Sequence, residues 1–218
     1  MHAFLFDVDG TLLDTERIYI KAWQAAAERL GYCLSDELMR RTRAIDPKIA
    51  ARMMEEEVGS GFSYEAVRKV RTEIGESMVE AEGNLLKPGA RPLLEALCAA
   101  GVPLAAVTST GRAHTARHLE LAGIAELIPV RATGDMVARG KPWPDIFLMA
   151  ASLLGVDPGA CYAVEDSGAG IRAATAAGMT PILVPDLARV DEQTRAMAFR
   201  TVDSLGDILR ALPELLDR

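Results

Sequence analysis

From Lys87 onward the chain alternates short apolar runs with amphipathic stretches of about ten residues, and this alternation limits the fold more than any other feature. Val102–Val107, Ile128–Val130, Cys161–Val164 and Pro181–Val184 read as strands. Pro92–Ala100, Ala113–Ala122, Pro144–Leu154 and Ile171–Ala177 read as the helices between them, two of them stopped by Gly123 and Gly178. Strands joined by helices of that length imply crossover connections and a parallel sheet buried on both faces. One more apolar run opens the chain, Ala3–Phe6 continuing through Val8. The expected fold is therefore α/β, a Rossmann-like parallel sheet.

Between the first strand and the rest lies a stretch with no strand signal. Trp23, Ala26, Ala27 and Leu30 fall at helical spacing before Gly31, and further helical stretches follow near 36–43, 47–58 and 64–81. A helical domain over 15–83 is thus expected as an insertion, with the catalytic core made of 1–14 and 84–218.

Half of the residues are hydrophobic, which excludes disorder as the main state. The net charge of −7 argues against a partner held by its phosphate backbone, so no nucleic acid is expected. Every long apolar run is broken by Gly, Pro or charge, so no membrane span is expected either. Met1–Phe4 carries no cationic leader before an apolar run. Cys33, Cys98 and Cys161 have no disulfide or zinc-site spacing, lie in or beside apolar stretches and read as small hydrophobes in a reducing cytoplasm. A monomer or a weak homodimer is the expected state.

In an open α/β sheet, ligands bind at the carboxyl ends of the strands. The first strand is followed by Asp7, Asp9, Gly10 and Thr11, and the second by Thr108, Ser109 and Thr110. Gly140-Lys141-Pro142 lies near the third, and Glu165, Asp166, Ser167 and Gly168 follow the fourth. Carboxylates gathered so closely stay ionised only if a cation joins them, and hard oxygen ligands suit Mg²⁺. Mg²⁺ beside a lysine and several hydroxyls is in physical terms a phosphate site.

These residues resemble the four motifs of the haloacid dehalogenase-like superfamily: Asp7-Val8-Asp9-Gly10-Thr11, Thr108, Gly140-Lys141-Pro142 and Glu165-Asp166-Ser167. Lys141-Pro142-Trp143-Pro144-Asp145-Ile146-Phe147 is similar to the subgroup of β-phosphoglucomutase and phosphoglycolate phosphatase, in which a helical cap follows the first strand. The resemblance implies a phosphoric monoester hydrolase acting on a small phosphorylated metabolite. It makes Asp7 the nucleophile and Asp9 the general acid–base. Asp7, Asp9, Glu165 and Asp166 would hold Mg²⁺, Glu165 directly or through water. Thr108 and the backbone after it would bind the phosphoryl group, together with Gly10, Thr11, Ser109 and Thr110, and Lys141 would neutralise it. From the basic cluster of the insert, Arg43 or Lys48 is expected to reach the substrate.

Three other patterns carry less. Gly168-Ala169-Gly170 after a strand mimics a dinucleotide fingerprint, but Glu165 and Asp166 would repel a pyrophosphate. Gly134 to Lys141 mimics a P-loop with the wrong spacing, and Pro142 stands where Ser or Thr is needed. His114 and His118, one turn apart, read as surface or core residues. The alternative activity is phosphomutase. The mutases carry a histidine on the first cap helix where this chain has Tyr19, and 15–83 contains no histidine. Hydrolysis is therefore the expected reaction.

Overall fold

The computed structural model describes residues 2–42, 47–59 and 61–217. The chain divides into two compact units, one of Met1–Asp14 with Leu86–Arg218 and the other of Thr15–Leu85.

The first unit is built on six parallel strands in the order β3-β2-β1-β4-β5-β6. In chain order, β1 is Ala3–Phe6, β2 Leu104–Thr108, β3 Val130–Thr133, β4 Cys161–Glu165, β5 Thr180–Leu183 and β6 Arg200–Thr201. Helices α1 to α4 fill the second unit: Thr15–Arg29, Asp36–Arg41, Pro47–Val58 and Tyr64–Ala81. The first unit holds α5 Ala90–Ala99, α6 Arg112–Leu121, α7 Asp145–Leu154, α8 Gly168–Ala176, α9 Glu192–Arg195 and α10 Leu205–Leu216.

Both faces of the sheet are buried, so its strands read as continuous apolar runs rather than as alternating ones. Ala3, Leu5, Ala105, Val107 and Ala163 meet Ile146, Phe147 and Ala150 of α7 and Ala173 and Ala174 of α8. Phe4 stacks on Tyr162 at 4.9 Å, and the Tyr162 hydroxyl donates to the Leu215 carbonyl of α10 at 3.1 Å. In the second unit, Ala26, Ala27, Leu38, Met54 and Val67 form a separate core, against which Trp23 and Ile74 pack.

Several boundaries differ from the sequence reading. β1 ends at Phe6, because the chain turns at once: Leu12 and Leu13 both donate to the Val8 carbonyl, and Gly10 takes a φ of 94°. Such a φ is costly for any residue with a Cβ. The third strand starts at Val130, not at Ile128. Helix α8 starts three residues early, where the Ser167 side chain caps the Gly170 amide. The stretch beyond Asp186 adds α9, β6 and α10. Cys161 is buried, and Cys33 and Cys98 are exposed. His118 is buried on α6 and His114 is exposed.

Leu97 of α5 is fully buried. Leu97→Ala is expected to cost about 2–5 kcal/mol of stability, read from urea unfolding.

Candidate active site

The sheet order changes direction at β1, which pairs with β2 on one side and β4 on the other. The carboxyl ends of those strands form the switch point where α/β sheets bind ligands. Phe6 is in register with Ala106 and Val164, so Asp7 emerges level with Val107 and Glu165. The Asp7 amide still donates to the Val164 carbonyl at 2.9 Å, which fixes the backbone from which the carboxylate projects.

Lys141 ties this junction together. Its Nζ donates to Asp7 Oδ1 at 2.6 Å, Glu165 Oε1 at 2.5 Å and the Val107 carbonyl at 3.0 Å. These three acceptors use all three ammonium protons. The Lys141 side chain is 7% exposed and that of Glu165 is 0% exposed. Burial alone would lower the lysine pKa, but the carboxylates of Asp7 and Glu165 outweigh it and hold it above its ordinary value. A buried charge trio of this kind is costly to break from one side only.

Glu165 is engaged at both oxygens. Oε2 accepts from the Ser167 hydroxyl at 3.0 Å and from its amide at 3.3 Å. The glycine pattern after β4 now has a reason. A Cβ on Gly170 would lie 1.8 Å from the Glu165 carboxyl carbon, so the glycine makes room for a buried carboxylate rather than for a pyrophosphate.

Asp7 differs from Glu165. Its Oδ2 is buried and has no hydrogen-bond partner among the described residues. Burial is the largest influence on Asp7, ahead of the opposing Lys141. Glu165 and Asp9 add to it, and the pKa is pushed up to about 7. Asp166 is also raised well above the ordinary range, by burial first and then by the charges of Asp7 and Glu165. Oxygens of Asp7, Glu165 and Asp166 lie within 4.8 Å of one another. Three hard, mutually repelling oxygen donors, one without a partner, suit a small divalent cation such as Mg²⁺.

Asp9 is held separately. Its Oδ2 accepts from the Thr110 hydroxyl at 2.8 Å and the Thr108 hydroxyl at 3.2 Å. Thr108 Oγ1 also accepts from the Thr110 amide, so the end of β2 is braced against the turn after β1. Thr11 is buried, and its hydroxyl has no hydrogen-bond partner among the described residues.

Asp7, Asp9, Thr108, Thr110, Lys141, Glu165 and Asp166 are thus brought together at adjoining strand ends. Ser109 is exposed beside them, and Gly10 forms the turn. Lys48 is exposed on α3 in the other unit, and Arg43 lies outside the described residues. Sequence reasoning missed Lys87 and Asp186. They form an ion pair of 2.7 Å, and an Asp186 oxygen lies within 4.8 Å of one of Asp166. The Val184-Pro185-Asp186 stretch after β5 was the available signal, since it too is a strand end.

Residues 1–178 match the haloacid dehalogenase-like hydrolase family. The chain belongs to that family. A protein of Drosophila melanogaster named as a probable pseudouridine-5′-phosphatase is 36% identical, over 93% of this chain and 89% of its own. Hexitol phosphatase A of Escherichia coli is 36% identical, over 83% of this chain and 82% of its own. The crystal structure of CbbY from Rhodobacter sphaeroides in complex with phosphate superposes with a TM-score of 0.80 at 32% identity, over 95% of this chain and 96% of that one. Solved neighbours come from the β-phosphoglucomutase and CbbY-like part of the family. The enzyme class is that of a phosphoric monoester hydrolase. Among the described residues no helix is long and apolar enough to cross a membrane.

Two outcomes test the site as a structure. Between its unfolded value near 3.8 and its folded value of about 7, Asp7 holds a proton in the folded state that the unfolded chain gives up. The raised pKa of Asp166 acts in the same direction. Stability from these groups is present below pH 4 and is lost as pH rises through 7. In chelator, the melting temperature is therefore expected to fall between pH 5.5 and pH 8, and Asp7→Asn should remove much of that fall. Gly170→Ala should cost about 3 kcal/mol or more in urea unfolding, because the methyl group overlaps a buried, hydrogen-bonded carboxylate.

Proposed function

We propose that the chain is a Mg²⁺-dependent phosphatase that hydrolyses small phosphorylated sugars or related metabolites through an aspartyl phosphate on Asp7. The observation that carries this reading is the asymmetry of the Asp7 carboxylate. Oδ1 is pinned by Lys141, and Oδ2 is buried with no partner among the described residues. Asp9 stands two residues on, held by two hydroxyls.

Asp7 and Asp166 would hold the ion by their side chains and Asp9 by its carbonyl oxygen. Glu165, whose oxygens already accept from Lys141 and Ser167, would act beside the ion or through water. When bound, the ion would supply positive charge that lowers the repulsion between the Asp7 carboxylate and the phosphate. Lys141 fixes the direction of Asp7 and adds a second positive charge. An Asp7 oxygen attacks phosphorus, the bond to the ester oxygen breaks, and Asp9 gives its proton to the departing alkoxide. Water then attacks the same phosphorus and passes a proton to Asp9. Inorganic phosphate leaves, and the Asp7 carboxylate is restored. Thr108 and Thr110 keep Asp9 in place through both steps. The helical unit of residues 15–85 is read as a cap that restricts the substrate to small molecules, with Lys48 and Arg43 as its candidate contacts.

The relatives named for hexitol and pseudouridine phosphates support a sugar phosphate as the substrate class. A phosphomutase would use the same Asp7 chemistry but return the phosphoryl group to a sugar hydroxyl. Tyr19, at the place where the mutases carry histidine, instead donates to Glu76 at 2.7 Å.

Release of inorganic phosphate from hexitol, pentose and nucleoside monophosphates is expected with Mg²⁺ and not with chelator. Asp7→Asn should abolish it, and Asp9→Asn should reduce it by about 10²–10⁴-fold. Bisphosphate-dependent isomerisation of a hexose phosphate, without net release, would overturn the hydrolase reading in favour of the mutase.

A further inference from the structure

A second lysine stands on the far side of the acidic cluster. Lys87 Nζ lies 2.7 Å from Asp186 Oδ1 and 3.8 Å from Asp14 Oδ1. The Lys87 side chain is 16% exposed and that of Asp186 5% exposed, so this is a nearly buried pair. Its backbone is fixed as well. The Lys87 amide donates to the Leu12 carbonyl at 2.9 Å, and Leu13 and Leu86 form an antiparallel bridge. The ammonium is thus placed by the turn that also carries Asp7 and Asp9.

Asp186 has an oxygen within 4.8 Å of one of Asp166, which in turn lies within 4.8 Å of Asp7 and Glu165. Four carboxylates therefore run in one chain from Glu165 to Asp186, with Lys141 on the Glu165–Asp7 side and Lys87 on Asp186. Asp186 is among the anions that act on Asp166, after burial, Asp7 and Glu165. Lys87 thus sets a positive charge against a nearly buried carboxylate that adjoins Asp166.

We infer that Lys87 is a positioning residue that offsets the charge of Asp186 beside the divalent cation site, and so sets the charge and affinity of that site. This rests on the metal site proposed above. A unit charge added or removed close to a cation site is enough to move its affinity by about a decade. The two halves of the pair then act with opposite sign. Loss of Lys87 removes a positive charge that offsets Asp186 next to the acidic cluster. Loss of Asp186 leaves Lys87 with Asp14, at the longer distance of 3.8 Å, as its counter-charge.

The test is calorimetric titration of the full chain with MgCl₂. Lys87→Met is expected to tighten Mg²⁺ binding about tenfold, and Asp186→Asn to weaken it about tenfold. Lys87→Met with Asp186→Asn should return close to wild type, and Lys87→Arg should stay within about twofold of it. A merely structural pair would shift both single variants in the same direction, and that result overturns the inference, as does unchanged binding in both. If Lys87→Met does not fold, Asp186→Asn and Lys87→Arg decide: binding unchanged or tightened by Asp186→Asn overturns it. Wild type that takes up no Mg²⁺ overturns the metal site itself and this inference with it. Wild-type binding with the wrong sign in the variants overturns the inference alone.

Discussion

The buried ammonium of Lys141 is the constraint on which the centre of the first unit depends. Two carboxylates and a carbonyl converge on it from β1, β2 and β4, three neighbouring strands. Without that cation, the two acidic side chains would meet at low exposure with no counter-charge between them. The lysine comes from a loop that belongs to none of those strands. The site is therefore a product of the closed sheet, not of any one segment.

The pattern of apolar runs made the sheet legible. Short strands buried on both faces leave a continuous signature, and the helices between them are closed by glycines such as Gly123 and Gly178, each at positive φ. What the pattern could not show is where regular structure stops. Val8 is as apolar as Phe6, yet the chain turns before it, because hydrogen bonds to the Val8 carbonyl win over strand pairing. Helix α8 likewise starts before its first apolar residue, since its start is set by the Ser167 cap. In the terminal stretch from Asp186, β6 has two residues and α9 four, too few for a period to register, but α10, with twelve, was long enough to be read and was missed.

The candidate site was legible to the extent that its chemistry follows strand ends. Asp7, Asp9, Thr108, Lys141, Glu165 and Asp166 each sit beside an apolar run or in a loop with a distinctive proline context, and they meet in space. Two things were hidden. The partners within the cluster depend on side-chain direction, which composition does not encode: Glu165 faces Lys141 and Ser167, while Asp7 keeps a bare oxygen. The Lys87–Asp186 pair joins residues 99 apart, so the strand end that marks Asp186 does not reveal its partner.

The stitching of Leu13 to Leu86, and of the Lys87 amide to Leu12, has a consequence for how such a chain can change. The helical insertion leaves the sheet and rejoins it at one place, where the backbone closes on itself by its own hydrogen bonds. To the six strands, Thr15–Leu85 amounts to a single bend in the chain. Their length and side chains can be rewritten without shifting any strand by a residue. Invention in the insert and fidelity in the sheet are separate inheritances, joined at one knot of backbone.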